Sequence, residues 1–248
     1  MAYIDDIDLH FLSECTSDEL EPLVLCLTKD KKGKKRFLET LTKNPKYKQY
    51  HPLHYVYWKE IAEEIQRCGA NSFVTYVVRF GDGVLYREIL IDVCTRLKVN
   101  FNKDSKTSII ESNLLAKILT DTLEKLPEDE VKKVAKELGV KNATNLAPQA
   151  MIIAMQQTFL AGGFMSYQLA VIIANSVAKA AIGQGLAFAG NAGLVKGLAF
   201  LVGPIAVTIS SLWLFQGIAS PAYRKTIPAV IHVACLRYTK MNSKYKLI

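Results

Sequence analysis

The chain has very little charge in one long stretch. From Asn142 to Tyr223, 82 consecutive residues carry only two charged side chains, Lys179 and Lys196. Acidic residues are absent from the last 107 positions, since all 23 of them lie at or before Glu137. The first 141 residues also hold 23 basic residues, so the net charge of +8 belongs to the remainder. This division excludes a uniformly solvated chain and predicts two parts in different surroundings.

Cysteine is scarce and scattered. The five cysteines form no CxxC pair, which disfavours a disulfide framework or a zinc site and favours a reducing compartment. The N-terminus reads MAYIDDIDLHFL, without the basic and apolar regions of a secretory signal. We therefore expect a cytoplasmic protein, or one at the cytoplasmic face of the inner membrane. The cysteines are Cys15, Cys26, Cys68, Cys94 and Cys235.

Motifs of catalysis and cofactor binding are also missing. Gly81-Asp82-Gly83 does not match a P-loop, and Gly183-x-Gly185-x-x-Phe188 departs from the dinucleotide fingerprint and follows no strand. No GxSxG or HExxH is present. His51 and His54 lack the third nearby ligand that zinc needs. We expect no catalytic residue, no cofactor and no metal.

Helical periodicity is what the sequence does contain, without strand-type alternation or repeats. Thr16 and Glu19 have capping-box spacing and predict a helix over 17–28. Ser108 and Glu111 have the same spacing before a leucine-rich run, and we interpret them in the same way. Gly69 is expected to end a helix that covers 54–68. These patterns predict an all-α protein, a multi-helix bundle.

The uncharged part predicts further helices. We expect helices over 149–161 and 164–182, separated by Gly162-Gly163, and a final apolar run over 198–218 that is broken by Gly203-Pro204. The chain is accordingly divided into a charged helical domain, 1–141, and an apolar Gly/Ala-rich helical region with a basic C-terminal tail, 142–248.

Small residues recur every four positions in the second region. A helix with such a stripe lets another backbone approach closely. Each glycine costs about 1 kcal/mol relative to alanine in a helix, so we expect a packing partner that offsets this cost. The stripe consists of Gly185, Ala189, Gly193 and Gly197.

Three interpretations of the apolar region are open. The 27 uncharged residues over 197–223 exceed the roughly 20 that a helix needs to cross a bilayer. Polar residues such as Gln168 and Asn175 interrupt the apolar runs and favour a soluble domain with buried central helices instead. A homo-oligomer that buries the stripe against its own copies is the third interpretation.

The ends of the apolar region suggest how it would meet a partner. Six basic residues follow it, as positive-inside anchoring at an anionic membrane surface predicts. Tyr223, Arg224 and Lys225 would then lie between the apolar segment and water. The aromatic and basic residues over 46–59 have helical spacing and fit a core, so nucleic acid is disfavoured.

Three sequence strings resemble a known family. They are GGFxSYQL over 162–169, ANxVAKA over 174–180 and PAYRKTIPAVI over 221–231. The chain is similar in these strings, and in LYRxILxDV over 85–93, to the YaaW family of bacterial proteins. The resemblance covers nearly the whole chain, implies an all-helical protein and brings no catalytic residue with it. A weaker resemblance links the family to the ubiquinol–cytochrome c chaperone domain, which assists a membrane protein.

Three hypotheses of function follow. The preferred one is a non-enzymatic protein whose second region binds a membrane or an apolar protein partner. The alternative is a soluble chaperone-like protein that shields apolar helices of a membrane-protein client. The third, an enzyme, requires a closed pocket with at least two titratable side chains.

Overall fold

The computed structural model describes residues 3–36, 39–72, 84–141, 145–183, 196–215 and 223–242. Helices dominate these ranges, and an isolated bridge between Lys29 and Lys35 is the one β-type pairing among them. The prediction of an all-α protein is confirmed. The α-helices are α1 (Ser17–Thr28), α2 (Pro45–Tyr50), α3 (Trp58–Ser72), α4 (Tyr86–Arg96), α5 (Thr107–Leu123), α6 (Glu128–Glu137), α7 (Pro148–Ala161), α8 (Phe164–Ile182), α9 (Val202–Phe215) and α10 (Tyr223–Met241).

The two predicted capping boxes have different outcomes. Thr16 Oγ1 accepts the Glu19 N–H at 3.3 Å, while Glu19 Oε2 accepts the Thr16 N–H at 2.9 Å, so the first box is confirmed. The second prediction was wrong. Helix α5 begins at Thr107 without a side-chain cap, and Glu111 is buried. Glu111 forms tertiary contacts instead, although its spacing from Ser108 fits a local cap.

Gly69 does not end a helix, and this prediction was also wrong. It lies inside α3, which continues to Ser72. A Cβ atom at Gly69 would stand 2.4 Å from Cδ1 of Ile89 in α4. The missing side chain therefore lets the two helices pack closely.

Helix α10 lies at the centre of the molecule. It packs against α8, α5, α1, α3 and α4, so it contacts both parts that the composition distinguishes. Its buried face includes Ile227, Val230, Ile231 and Ala234, and a single cluster of buried apolar side chains includes residues of both parts. The domain boundary at 141/142 stays a prediction, and the cluster of buried apolar side chains extends across it.

Helix α8 is long and apolar enough to cross a membrane, and it is the one helix of that kind among the described residues. Of the residues in its most apolar window, 89% are buried inside the protein, mainly against α9 and α10. A core helix that is surrounded by its own chain needs apolar residues on all sides. Burial within the fold therefore accounts for the uncharged composition of α8.

Candidate functional site

A groove with a volume of about 800 Å³ opens where the N-terminal segment, the start of α5 and the end of α10 meet. A cavity of about 170 Å³ adjoins it along α5 and α10 and shares Ser108, Arg237 and Met241 with it. We call the two together the N/C groove. Its first part is lined by Ile7, Asp8, Phe11, Glu14, Arg87, Lys106, Thr107, Ser108, Arg237, Lys240 and Met241.

Three exposed apolar side chains surround the N/C groove. Ile7 is 84% exposed, Met241 68% and Ile109 48%, and they come from three separate elements. Single exposed apolar residues are ordinary, but several around one concave surface are typical of a binding site. Methionine adds adaptability, because its unbranched side chain fits partners of different shapes.

An ion pair forms the floor of the groove. Arg237 Nε donates to Glu111 Oε2 at 2.7 Å, and its Nη2 donates to the carbonyl oxygen of Asp8. The guanidinium group also lies 4.2 Å from the ring centroid of Phe11. Tyr86 donates its hydroxyl hydrogen to the other oxygen of Glu111, at 2.7 Å. The charged groups at the floor are therefore satisfied by their own chain.

Burial raises the pKa of Glu111 to about 7, against the lowering effect of Arg237 and Tyr86. A carboxyl group with a raised pKa in a cleft is a common mark of acid–base chemistry. Here both oxygens accept hydrogen bonds within the chain, which favours a structural role that joins α5 to α10.

The N-terminal wall of the groove is attached at several points. Lys240 Nζ donates to the carbonyl oxygen of Glu14 at 2.7 Å and pairs with Glu19 at 3.1 Å. Asp6 accepts the backbone N–H of Tyr86 at 2.7 Å. These contacts hold residues near the start of the chain against α1, α4 and α10, so the wall is preformed.

The opposite wall depends on Arg87. Its Nη1 donates to Thr107 Oγ1 at 3.0 Å, and its Nη2 donates to the carbonyl oxygens of Lys103 and Ser105, both at 2.7 Å. Arg87 thus ties α4 to the loop that precedes α5. The loop places exposed Lys106 at the edge of the groove.

The predicted small-residue stripe is described at one position. Gly185, Ala189 and Gly193 lie outside the described residues. Gly197 is in the 3₁₀ segment Lys196–Leu201, where a Cβ atom would stand 2.4 Å from Oε1 of Glu137. A side chain of the same protein therefore approaches this glycine, and contact with a membrane or partner stays a prediction for the stripe.

Tyr223 is buried at the start of α10. Its hydroxyl donates to Asp92 Oδ2 at 3.0 Å, and the guanidinium of Arg96 lies 4.1 Å from the centroid of its ring. These contacts attach the first turn of α10 to α4.

Lys225 is also buried, in an ion pair with Glu64 of α3. Burial alone would lower the pKa of Lys225, but Cys68 and Glu64 beside it raise the pKa above its usual range. Arg224, between Tyr223 and Lys225, is exposed. Of the three residues proposed as a membrane or partner contact, Arg224 is therefore the one that faces solvent, and that contact stays a prediction.

Sequence reasoning missed the N/C groove. Its one available signal was an acidic residue, Glu111, that shares a helix face with Leu114 and Leu115, together with Arg237, which directly follows the apolar run Val233–Leu236. Charges of opposite sign on buried faces indicate a pair. Their pairing across 126 positions required the tertiary structure.

Metal-ligand clusters are not seen in the described ranges, where no three His, Cys, Asp or Glu side chains gather around one point. All five cysteines lie in the described ranges, where they are buried and form no disulfide. Burial raises the pKa of the Cys26 thiol to about 12, so it is an unreactive core residue.

Comparisons with known proteins give a consistent family. A family model described as ubiquinol-cytochrome C chaperone matches residues 57–231, and a domain of unknown function, DUF3944, matches residues 3–37. A UPF0174 protein of Helicobacter pylori (strain J99) is 48% identical over 237 residues, which cover 96% of this chain and 93% of the relative. The UPF0174 protein YaaW of Escherichia coli (strain K12) is 33% identical over 241 residues, 95% of each chain. No solved structure matches the chain.

Proposed function

Since the chain belongs to the UPF0174 family, and residues 57–231 of it to the ubiquinol-cytochrome C chaperone family, we propose that it is a non-catalytic, chaperone-like protein. Its task would be to hold an apolar helical segment of a membrane-protein client in the N/C groove. One wall of this groove belongs to the region that the chaperone model matches. The other wall comes from the N-terminal segment and the end of α10.

The observation that carries this proposal is the gathering of Ile7, Ile109 and Met241 around one concave surface. An amphipathic client helix binds such a surface by placing its apolar side chains in the groove. Removing an exposed aliphatic side chain from water gains about 1.5–3 kcal/mol when burial is complete. Three such side chains would supply part of the binding free energy, and the cost of association would keep the complex reversible, as a chaperone needs in order to release its client.

The preformed floor supports the same function. Because Arg237, Glu111 and Tyr86 satisfy one another, a client need not supply a polar partner for them. Recognition would rest on apolar contact and on the shape of the groove, so clients of different sequence could be accepted.

The test uses a fluorescent Leu/Ala-rich transmembrane peptide that is diluted from detergent into buffer with the full-length protein. Fluorescence anisotropy reports binding, and light scattering reports aggregation of the peptide. We expect the wild-type protein to bind the peptide and delay its aggregation. The double variant Ile7→Asp/Met241→Asp places two carboxylates at the rim, and its affinity should fall by at least roughly tenfold, or about 1.4 kcal/mol.

The matched control is Val207→Asp in α9, which changes another exposed aliphatic residue, 68% exposed, that does not line the groove. It should bind the peptide like the wild type. Equal loss in the control and the double variant, or no binding by the wild type, would contradict the proposal.

The outer face of α7 favours a second candidate function, contact with a membrane surface. Ile153 is 51% exposed and Leu160 37%, two turns apart, and α7 contains no charged residue. At 14 residues the helix is too short to span a bilayer but long enough to lie in its interface. Co-sedimentation with lipid vesicles tests this function. Wild-type protein should pellet with them, and Ile153→Asp/Leu160→Asp should stay in the supernatant, whereas an unbound wild type would reject the idea.

A further inference from the structure

Apart from the N/C groove, a cavity with a volume of about 340 Å³ lies between the loop that follows α1 and the start of α10. Four of its lining side chains are basic, Lys31, Lys32, Arg36 and Arg224, and one is acidic, Asp30. We call it the basic pocket. With four cations and one carboxylate, the lining has an excess of positive charge that favours an anion in the cavity.

Asp30 offsets one of these four positive charges, and its carboxylate also organises the loop. Asp30 Oδ1 accepts the backbone N–H groups of Lys32 and Lys34, both at 2.9 Å. Its own N–H donates to the carbonyl oxygen of Lys34 at 2.9 Å, beside the bridge between Lys29 and Lys35. The acidic side chain therefore shapes the loop that presents the lysines.

The loop is pressed against the end of α8. Gly183 has a φ of +78°, and a Cβ atom there would stand 2.8 Å from the carbonyl oxygen of Lys31. Both the conformation and the contact require glycine at this position. This contact fixes the backbone of the loop that carries Lys31 and Lys32 beside the pocket.

Arg36 is half-buried and held in place. Its Nε donates to the carbonyl oxygen of Cys26 at 3.0 Å, and no carboxylate in the described part of the chain forms an ion pair with it. A held guanidinium group is well suited to a planar or tetrahedral oxyanion, because its nitrogens donate in a fixed fork.

Arg224 is unfavourably placed for the fold itself. It lies in the first turn of α10, where the helix dipole disfavours a cation. Its neighbour Lys225 is compensated by Glu64, whereas no ion pair forms with Arg224 among the described residues.

We propose that the basic pocket binds a phosphate group, carried by a soluble metabolite or by a lipid headgroup. The guanidinium groups of Arg36 and Arg224 supply donors and positive potential for its oxygens. The pocket is larger than phosphate alone, so part of the attached molecule would also enter it. Arg224 and Arg237 are 13 residues apart on α10, which separates the pocket from the N/C groove by roughly 20 Å. The two sites can therefore be tested independently.

The experiment measures binding of inorganic phosphate to the full chain by calorimetry, and co-sedimentation with vesicles of phosphatidylcholine, with or without phosphatidylglycerol. The test variant is Lys32→Gln/Arg224→Gln, which removes two of the four cations. The matched control, Lys48→Gln/Lys136→Gln, removes the same charge from exposed lysines on α2 and α6. Circular dichroism confirms that both variants remain folded.

We expect the wild type and the control to bind phosphate alike, and the test variant to bind at least roughly tenfold more weakly. Phosphate binding without extra pelleting on phosphatidylglycerol identifies a soluble phosphorylated ligand. Pelleting that depends on phosphatidylglycerol and is displaced by phosphate identifies a headgroup, and both results support the proposal. Equal affinity of test variant and control, or no saturable binding to either probe, overturns it and leaves the client-binding proposal unaffected.

Discussion

Lys225, near the start of α10, forms a buried ion pair with Glu64 of α3, 161 positions away in the sequence. Thr40 also donates to Glu64, through its hydroxyl at 2.8 Å and its backbone N–H at 3.2 Å. Three separate segments therefore meet at one carboxylate. Lys225 occupies a position where the sequence suggests a water-facing anchor, yet it joins the two parts of the chain.

Loss of Lys225 should destabilise the protein strongly. Lys225→Met leaves the Glu64 carboxylate buried without its cation, which costs about 3–5 kcal/mol. Urea unfolding followed by circular dichroism measures the change. The double variant Glu64→Gln/Lys225→Met removes the uncompensated charge and should recover a large part of the loss. Equal stability of the single and double variants would show that the pair is not coupled.

Stability should depend on the ionisation of Glu111. Because burial raises its folded pKa from 4.5 to about 7, the folded state holds this proton more tightly than the unfolded state. Its contribution is thus fully present below pH 4.5 and is lost as the pH rises through about 7, by about 3 kcal/mol at most. Glu111→Gln should flatten the unfolding free energy over this range. The exposed Glu124→Gln is the control and should keep the wild-type slope.

Ionisation of His232 should change the stability with pH in the direction opposite to that of Glu111. It is fully buried, no hydrogen-bond partner for either ring nitrogen lies among the described residues, and burial lowers its pKa to about 3. The unfolded state then binds the proton more readily, so stability falls as the pH decreases below 6.5.

His232→Leu removes both the titration and an unsatisfied polar group. We expect it to shift the midpoint of acid unfolding to lower pH and to stabilise the protein by about 1 kcal/mol or more at neutral pH. A destabilised His232→Leu variant at acidic pH would contradict this account.

Close packing at Gly69 should not tolerate a methyl group. Gly69→Ala gains about 1 kcal/mol of helix propensity, but its Cβ atom would overlap the Ile89 side chain, and overpacking costs about 1–3 kcal/mol. We expect a net loss of stability in thermal unfolding. Ile89→Val in the same background should restore part of it. Gly203→Ala, where no atom lies within 4 Å of the added Cβ, should not destabilise α9.

Local signals predicted several elements correctly but not the contacts between them. The limits of α8 and the Thr16 capping box were predicted correctly, since both depend on neighbours within a few residues. The same spacing at Ser108 and Glu111 gave a wrong prediction, because a distant arginine binds that glutamate. The sequence alone does not show in which of two similar capping patterns the glutamate will bind a distant residue instead of the helix N-terminus.

The candidate site could not be predicted from the sequence, for the same reason. Ile7 and Met241 are each unremarkable exposed residues, and only the fold places them at one groove. The uncharged stretch was recognised correctly, but its cause differs for α8, whose neighbours within the chain already bury it. Composition shows that a segment avoids water, but it does not show whether lipid, a partner or the rest of the chain buries the segment.

The attachment of Asp8 and Glu14 to Arg237 and Lys240 joins the segment before α1 to the end of α10. During synthesis, α10 leaves the ribosome only after more than two hundred residues have already emerged. A nascent chain therefore has no completed groove, however well its first helices have folded. Any binding in the N/C groove is therefore confined to chains that have been synthesised through α10.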